Sequence, residues 1–258
     1  MNQKEKLLPE IINLTWLASE RIINLYNNKI DFKLKSDCSP LTAADIASHN
    51  VIIEGLSKLT PKIPIISEEG SDKIDSTCET YWLVDPLDGT KEFINKNDEF
   101  TINIALIENN NPTLGVVCAP ALNILYSGIV GKKAFKENNK NEKHEIYVKK
   151  CNNKGLIVVG SRSHNNMDEM NAFLKDFKIS DFIGVGSSLK FCLIAEGKAD
   201  IYPRLGRTME WDIAAGHAVL KAAGGFVTTI NGSPMIYGKP NRENSYFIAK
   251  NMINLNYR

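Results

Sequence analysis

The chain lacks several features that would narrow its function class at once. Its 258 residues include 31 Lys and Arg against 30 Asp and Glu, so the formal net charge is +1. A general nucleic-acid-binding protein normally has a basic excess, so we expect no nucleic-acid partner, although one local pocket could still bind a small anion. No stretch approaches 18 consecutive apolar residues, which argues against a transmembrane segment.

Cysteine is also scarce. The chain has five cysteines, an odd number, and no two of them form a CxxC pair. This pattern favours reduced thiols in the cytosol over a disulfide framework or a zinc site. The first ten residues include Lys4, Glu5, Lys6 and Glu10, and they lack the apolar centre of a secretory signal. We therefore expect a cytoplasmic protein.

Hydrophobic periodicity predicts both helices and strands, and we expect a layered α/β (α+β) protein. Residues 4–27 have the spacing of an amphipathic helix. A second helix is expected to begin at Thr42, with Asp45 as its acidic capping partner, and to end at Thr60. Its buried face is predicted from three residues: Ile46, Ile53 and Leu56.

Short apolar runs predict the strands. Strands are expected at residues 63–66, 81–84, 101–107, 114–117, 124–130, 155–160 and 199–202, and further helices at 189–196 and 211–223. Residues 131–154 are rich in Lys and Asn and predict a domain junction or an exposed hairpin. We expect two α/β domains, 1–150 and 151–258.

The strongest chemical signal is the turn after the 81–84 strand. Asp85 and Asp88 flank Pro86 and Leu87, and Gly89 follows. Proline fixes its own φ and glycine permits a sharp turn, so such a turn can aim both carboxylates and the Leu87 carbonyl at one point. Hard divalent cations prefer such oxygen donors.

Further carboxylates occur at the ends of other predicted elements. Glu68 and Glu69 follow the 63–66 strand, and Asp212 lies at the start of the last predicted helix. Two like charges about 4 Å apart repel by about 4 kcal/mol at an effective dielectric constant of about 20. Several carboxylates in one pocket would partly protonate unless cations neutralise them. The sequence therefore predicts a metal site.

Each of these residues also has an ordinary structural interpretation. An Asp-Gly pair usually forms a turn, and Asp45 could serve only as a capping residue. Asp212 could serve only the helix dipole, and Glu68-Glu69 could lie in a solvated loop. Four histidines lack metal-ligand spacing and are expected at the surface or in the core: His49, His144, His164 and His217.

Three motifs together resemble those of the inositol monophosphatase superfamily of Mg²⁺-dependent, lithium-sensitive phosphomonoesterases. They are Ser67-Glu68-Glu69, Trp82-Leu83-Val84-Asp85-Pro86-Leu87-Asp88-Gly89-Thr90, and Glu210-Trp211-Asp212-Ile213-Ala214-Ala215-Gly216. The resemblance extends from about Ser39 to Phe247. It implies a layered αβαβα sandwich with the site between two α/β domains.

Within the superfamily the chain is most similar to 3′(2′),5′-bisphosphate nucleotidases of the CysQ type. The segments that carry this similarity are Ser39–Asp45, Lys91-Glu92-Phe93, Ser161–His164, Gly186–Cys192 and Tyr202-Pro203-Arg204.

The resemblance implies a role for each matching residue. The implied metal ligands are Glu68, Asp85, the carbonyl of Leu87, Asp88 and Asp212. They would hold two or three Mg²⁺ ions, and most of them lie in the first of the two expected domains. The residues that orient and deprotonate the attacking water are Asp45 and Thr90. The substrate-binding residues are Glu68, Leu87, Asp88, Gly89, Thr90, His164, Ser187, Lys190, Arg204 and Asp212, and the Gly89 and Thr90 N–H groups cradle the scissile phosphate.

The implied reaction is hydrolysis of the 3′-phosphate of adenosine 3′,5′-bisphosphate to AMP and phosphate. An inositol monophosphatase, a fructose-1,6-bisphosphatase and a non-catalytic nucleotide-binding module remain as alternatives. Ser187 and Ser188 could serve only to cap a helix, and Lys190 and Arg204 could be solvated surface charges. The resemblance allows peripheral association with the inner face of the membrane, although no segment here signals it. The sequence predicts no oligomeric state.

Overall fold

The computed structural model describes residues 3–28, 32–35, 40–71, 78–140, 142–150, 154–161 and 167–252. Within these ranges the helices are α1 (Gln3–Tyr26), α2 (Ala43–Leu59), α3 (Thr90–Ile94), α4 (Met167–Leu174), α5 (Leu189–Ala195) and α6 (Glu210–Ala222). The strands are β1 (Phe32–Leu34), β2 (Pro40–Thr42), β3 (Ile65–Ser67), β4 (Gly70–Ser71), β5 (Thr80–Asp88), β6 (Thr101–Glu108), β7 (Asn111–Ala119), β8 (Ile124–Ile129), β9 (Ala134–Glu137), β10 (Lys143–Ile146), β11 (Leu156–Gly160), β12 (Ile179–Gly184), β13 (Ile201–Arg204), β14 (Phe226–Thr229) and β15 (Phe247–Lys250).

An eight-stranded sheet forms the centre of the first half, in the order β10-β9-β8-β7-β6-β5-β3-β4. It is antiparallel except where β3 runs parallel to β5. Helices α1 and α2 pack together on one face, where side chains such as Ile11, Ile52 and Trp82 are fully buried. This apolar layer holds the start of α2 next to the end of β5.

A five-stranded sheet, β12-β11-β13-β15-β14, forms the second half. Helices α5 and α6 lie between the two sheets, and one continuous core cluster includes Leu83, Phe191, Val219 and Phe247. Phe173 of α4 packs against the outer face of the second sheet. The five layers are α1 and α2, the first sheet, α5 and α6, the second sheet, and α4, so the predicted αβαβα sandwich is confirmed.

Most of the predicted elements are present, and the 131–154 segment contains the β9–β10 hairpin at the edge of the first sheet. The proposed boundary at residue 150 lies between β10 and β11, and the division into two domains stays a prediction. In the described part of the chain, no helix combines the length and the apolarity needed to cross a bilayer.

Two local predictions are wrong. The strand that begins near Tyr81 does not end at Val84, because β5 continues to Asp88 through a register shift against β6. The buried face of α2 includes the predicted Leu56, but Ile46 is 40% exposed, Ile53 is only half-buried, and Ile52 is buried instead. The reason is that polar side chains of α2, not only apolar ones, face inward beside the end of β5.

Candidate active site

The first turn of α2 fixes Asp45. Its carboxylate Oδ2 accepts hydrogen bonds from the Thr42 backbone N–H at 2.7 Å and from the Thr42 hydroxyl at 2.6 Å. The Thr42 hydroxyl in turn accepts from the Ala44 N–H, which completes a capping box. Asp45 is 1% exposed, and this burial raises the pKa of its carboxyl although the bonds from Thr42 oppose the shift. The predicted capping role is confirmed, and one carboxylate oxygen remains for other partners.

The end of β5 forms the turn that aims the next carboxylates. The Asp85 carboxylate accepts from the Leu87 N–H at 3.1 Å, and the hydroxyl of Ser48 on α2 donates to the Pro86 carbonyl at 2.8 Å. These bonds tie the turn to α2. Asp88 follows at the end of the strand, opposite Thr101 of β6.

Gly89 and Thr90 connect this turn to α3. Gly89 has φ +86°, a left-handed conformation that a side chain would strain, and a Cβ there would lie 3.2 Å from the Glu92 carboxylate. The Thr90 hydroxyl lies 3.3 Å from both the Asp45 carboxylate Oδ1 and the Leu87 carbonyl. The structure thus brings together Asp45 and Thr90, two residues that lie 45 positions apart in the sequence.

Asp212 approaches the same turn from the second half of the chain. It lies in the first turn of α6, where its carboxylate accepts from the Met209 N–H at 2.8 Å. Burial, followed by the charge of Asp88, raises the pKa of Asp212 to about 8. Burial likewise raises the pKa of Asp88 to about 6 and that of Asp85 well above its usual range. The three carboxylates therefore feel one another's charge, as the sequence predicts.

Glu68 belongs to the same electrostatic group, because its charge also raises the pKa values of Asp85 and Asp212. The Lys35 ammonium donates to the Glu68 carboxylate at 2.8 Å and also to Glu69. Burial alone would lower the pKa of Lys35, but the hydrogen bonds that its ammonium donates to both carboxylates outweigh this effect and raise the pKa. Lys35 was absent from the sequence predictions, since no local pattern distinguishes it.

The donor chemistry of this group suits a divalent cation. All of the donors are carboxylate or carbonyl oxygens, which are the ligands of Mg²⁺, and burial penalises their negative charge. In the ranges that the structure describes, no three His, Cys, Asp or Glu side chains form a ready-made metal-binding group. The assignment of individual ligands therefore stays a prediction.

A cavity of about 140 Å³ connects the acidic group to basic side chains. Asp88, Gly89 and Asp212 line this cavity together with Lys190 and Arg204. Lys190 is 5% exposed, and its ammonium donates to the Ser187 carbonyl at 2.7 Å. Burial lowers the pKa of Lys190 to about 8, although Asp88 opposes the shift. A larger groove of about 750 Å³ beside α1 contains none of these residues.

The structure places only some of the predicted substrate-binding residues. Ser187, Lys190 and Arg204 all line the cavity, and His164 lies outside the described residues. The alternative of a solvated Lys190 is wrong, because the side chain is buried. Ser188 is the N-cap residue of α5, but its hydroxyl makes no capping bond and donates to Asn103 at 2.6 Å.

The histidines agree with the structural interpretation where they are described. His217 is buried and its Nδ1 lies 2.9 Å from the Tyr237 hydroxyl, whereas His49 is half-buried and pairs with Ser67. Cys78, Cys118 and Cys192 are free thiols, while Cys38 and Cys151 lie outside the described residues.

The chain is similar to several known proteins. The 3′(2′),5′-bisphosphate nucleotidase CysQ of Escherichia coli K12 is 46% identical over 235 residues, covering 90% of this chain and 94% of the relative. The CysQ enzyme of Haemophilus influenzae is 32% identical and covers 91% of this chain and 88% of its own. The crystal structure of CysQ from Bacteroides thetaiotaomicron superposes with a TM-score of 0.84 at 36% identity, over 96% of this chain and 98% of that one.

The sequence pattern of the inositol monophosphatase family matches residues 3–254, which is nearly the whole chain. Members of this family are metal-dependent phosphatases, generally using Mg²⁺. From the fold, the acidic group and these matches together, the chain belongs to the inositol monophosphatase family.

Proposed function

We propose that the protein is a Mg²⁺-dependent phosphomonoesterase that hydrolyses the 3′-phosphate of adenosine 3′,5′-bisphosphate to AMP and phosphate. The observation that carries this proposal is the shared cavity. Its acidic side, with Asp88 and Asp212, suits a metal-bound phosphate, and its basic side, with Lys190 and Arg204, suits the second phosphate of a bisphosphate. The relatives named as bisphosphate nucleotidases support the same substrate.

Asp45 and Thr90 supply the base. The Thr90 hydroxyl can pass its proton to the Asp45 carboxylate, 3.3 Å away, while it accepts a proton from an attacking water molecule. Burial raises the pKa of Asp45, which makes the carboxylate a stronger base than an exposed aspartate. The oxygen of the water forms a bond to phosphorus, the bond from phosphorus to the 3′-oxygen breaks, and the 3′-oxygen takes up a proton from solvent.

The backbone around Gly89 holds the phosphate. Because Gly89 is left-handed and α3 begins at Thr90, the N–H groups of these two residues begin a helix and can donate to phosphate oxygens. Across the cavity, the Lys190 ammonium and the Arg204 guanidinium bind the rest of the nucleotide, with Ser187 beside them. Positioning and charge therefore supply the catalysis, and no covalent intermediate is needed.

Two or three Mg²⁺ ions would be held by Glu68, Asp85, the Leu87 carbonyl, Asp88 and Asp212. When bound, Mg²⁺ polarises the phosphoryl oxygens and neutralises the negative charge that develops on the water and on the leaving 3′-oxygen. The negative charges of the carboxylates would balance the positive charge of the bound Mg²⁺ ions.

The direct test is release of phosphate from adenosine 3′,5′-bisphosphate, measured with Mg²⁺ and with EDTA. We expect turnover only with Mg²⁺, and a loss of at least about a hundredfold in Asp88→Ala, the usual effect of removing a preorganised charge. Asp176→Ala, which alters an exposed carboxylate outside the site, is the matched control. Undiminished turnover in Asp88→Ala would contradict the metal role.

A substrate comparison separates the alternatives. We expect kcat/KM to be higher for adenosine 3′,5′-bisphosphate than for inositol 1-phosphate, which has no second phosphate for Lys190 and Arg204 to bind. We also expect it to be higher than for fructose 1,6-bisphosphate, because the relatives are named as nucleotidases. A preference for either sugar ester would identify the corresponding phosphatase. Tight nucleotide binding without hydrolysis would identify a non-catalytic module.

A further inference from the structure

A buried glutamate outside the acidic group holds the loop that precedes Lys190. Glu99 lies between α3 and β6 and is 9% exposed. Its carboxylate Oε2 accepts a hydrogen bond from the Gly186 backbone N–H at 2.9 Å, and its backbone carbonyl accepts from the Ser187 hydroxyl at 2.8 Å. One residue of the first half thus binds two consecutive residues of the second half.

The held loop has a strained and closely packed backbone. Ser187 has φ +43°, a left-handed value that a residue with a side chain adopts only where its surroundings impose it. Gly186 packs so closely that a Cβ would lie 2.8 Å from the Glu99 carbonyl oxygen. Both hydrogen bonds that Glu99 accepts are made at this turn, so they stabilise the unfavourable conformation.

This loop contacts both Lys190 and the strand that pairs with Asp88. The carbonyl of Ser187 accepts the hydrogen bond from the Lys190 ammonium at 2.7 Å. The Ser188 hydroxyl lies 2.9 Å from the hydroxyl of Thr101, which is the β6 partner of Asp88 in the sheet. A shift of the loop would therefore change the separation between Lys190 and Asp88, which a bound substrate must span.

Glu99 is not among the residues that line the cavity. We propose that Glu99 is a positioning residue for the nucleotide: it fixes the loop 186–188, and through Ser187 the ammonium of Lys190, at the correct distance from Asp88. This inference rests on the proposed function, because it assigns the basic side of the cavity to the part of the substrate that does not react.

Three substitutions of Glu99 separate positioning from general stability. Glu99→Ala removes the acceptor for the Gly186 N–H, and Glu99→Asp keeps the charge but shortens the side chain by one methylene. Glu99→Gln keeps an oxygen at the same reach. The matched control is Glu108→Ala, which removes a partly buried carboxylate that pairs with Lys4 at the other end of β6.

We expect KM for adenosine 3′,5′-bisphosphate to rise by about tenfold in Glu99→Ala and in Glu99→Asp, which corresponds to about 1.4 kcal/mol. The dissociation constant of AMP, measured by calorimetry with Mg²⁺, should rise by a similar factor. The inhibition constant of inorganic phosphate should change by less than about twofold, because the cradle at Gly89 is intact. Glu99→Gln should restore KM to within about twofold of the wild type.

Several results would overturn the proposal. An unchanged KM and AMP affinity in both Glu99→Ala and Glu99→Asp would refute positioning, as would a rise in KM of the same size in the control Glu108→Ala. If the wild type does not hydrolyse the bisphosphate, the proposed function has failed, and the AMP titrations alone then decide the role of Glu99. Absence of AMP binding in the wild type would overturn both.

Discussion

Replacing Asp212 by Asn should stabilise the metal-free protein, and more so as the pH rises. Burial and the charge of Asp88 raise the pKa of Asp212 in the folded protein to about 8, from 3.8 in the unfolded chain. The folded protein therefore binds the proton more tightly, so this group favours folding below pH 3.8 and progressively opposes it as the pH rises to 8. Asparagine does not titrate, and its oxygen can still accept the hydrogen bond from the Met209 N–H.

The magnitude follows from the same values. Each pH unit between pH 6 and pH 8 adds about 1.36 kcal/mol to the free-energy cost of ionising Asp212 in the folded protein, which gives about 2.7 kcal/mol in total. Asp212 is partly exposed on the cavity wall, so solvent screens part of this cost and we expect about 2 kcal/mol. The advantage of Asp212→Asn over the wild type should grow by this amount between pH 6 and pH 8 and then level off.

Urea unfolding in EDTA, followed by circular dichroism at several pH values, measures this difference. Titrating groups that do not feel the charge of Asp212 cancel when the two proteins are compared at each pH, and Asp176→Asn, at an exposed position, is the control. Added Mg²⁺ should stabilise the wild type more than the variant, since a ligand that binds only the folded state stabilises it. A constant difference across the pH range would refute the reasoning about buried, mutually repelling carboxylates.

Two further perturbations test the packing around the site. Glu210→Ala removes a fully buried carboxylate that pairs with Lys239 at 2.7 Å and with Arg242 at 3.3 Å. The free energy of unfolding, measured by urea titration, should therefore fall by about 3 kcal/mol. No loss would mean that the two ion pairs contribute little to stability. Burial lowers the pKa of His217 to about 3, so stability is lost as the pH falls below 6.5. Between pH 7 and pH 5, the wild type should lose about 2 kcal/mol more than His217→Gln, and equal losses would contradict this.

The sequence predicted the main elements because their signals are local. The capping box at Thr42 and the apolar spacing of α1 each lie within a few residues. Some short elements were missed, such as α3 with five residues and β14 with four, which are too short for a clear period. The inward face of α2 was also misplaced, since its buried positions include Asp45, whose burial is decided by the turn after β5.

The residues of the candidate site were predicted from three motifs and their resemblance to a family. The contacts between residues of distant segments could not be predicted in this way. The bonds of Lys35 to Glu68 and of Glu99 to Gly186 join segments 33 and 87 residues apart, and no single-sequence pattern reports such pairs. Ser188 shows the same limit. Its position before α5 predicts a helix cap, but its hydroxyl instead donates a hydrogen bond to Asn103 of the first sheet.

Helix α6 lies between the two sheets, and this placement has a mechanical consequence. It carries Asp212, and it packs on β6 and β7 of the first sheet while its chain continues into β14 of the second. A rotation of one half against the other would have to break the core that both share, at a cost far above thermal energy. Opening the cavity to admit a substrate or release a product therefore falls to short loops and side chains at its rim, and not to a hinge.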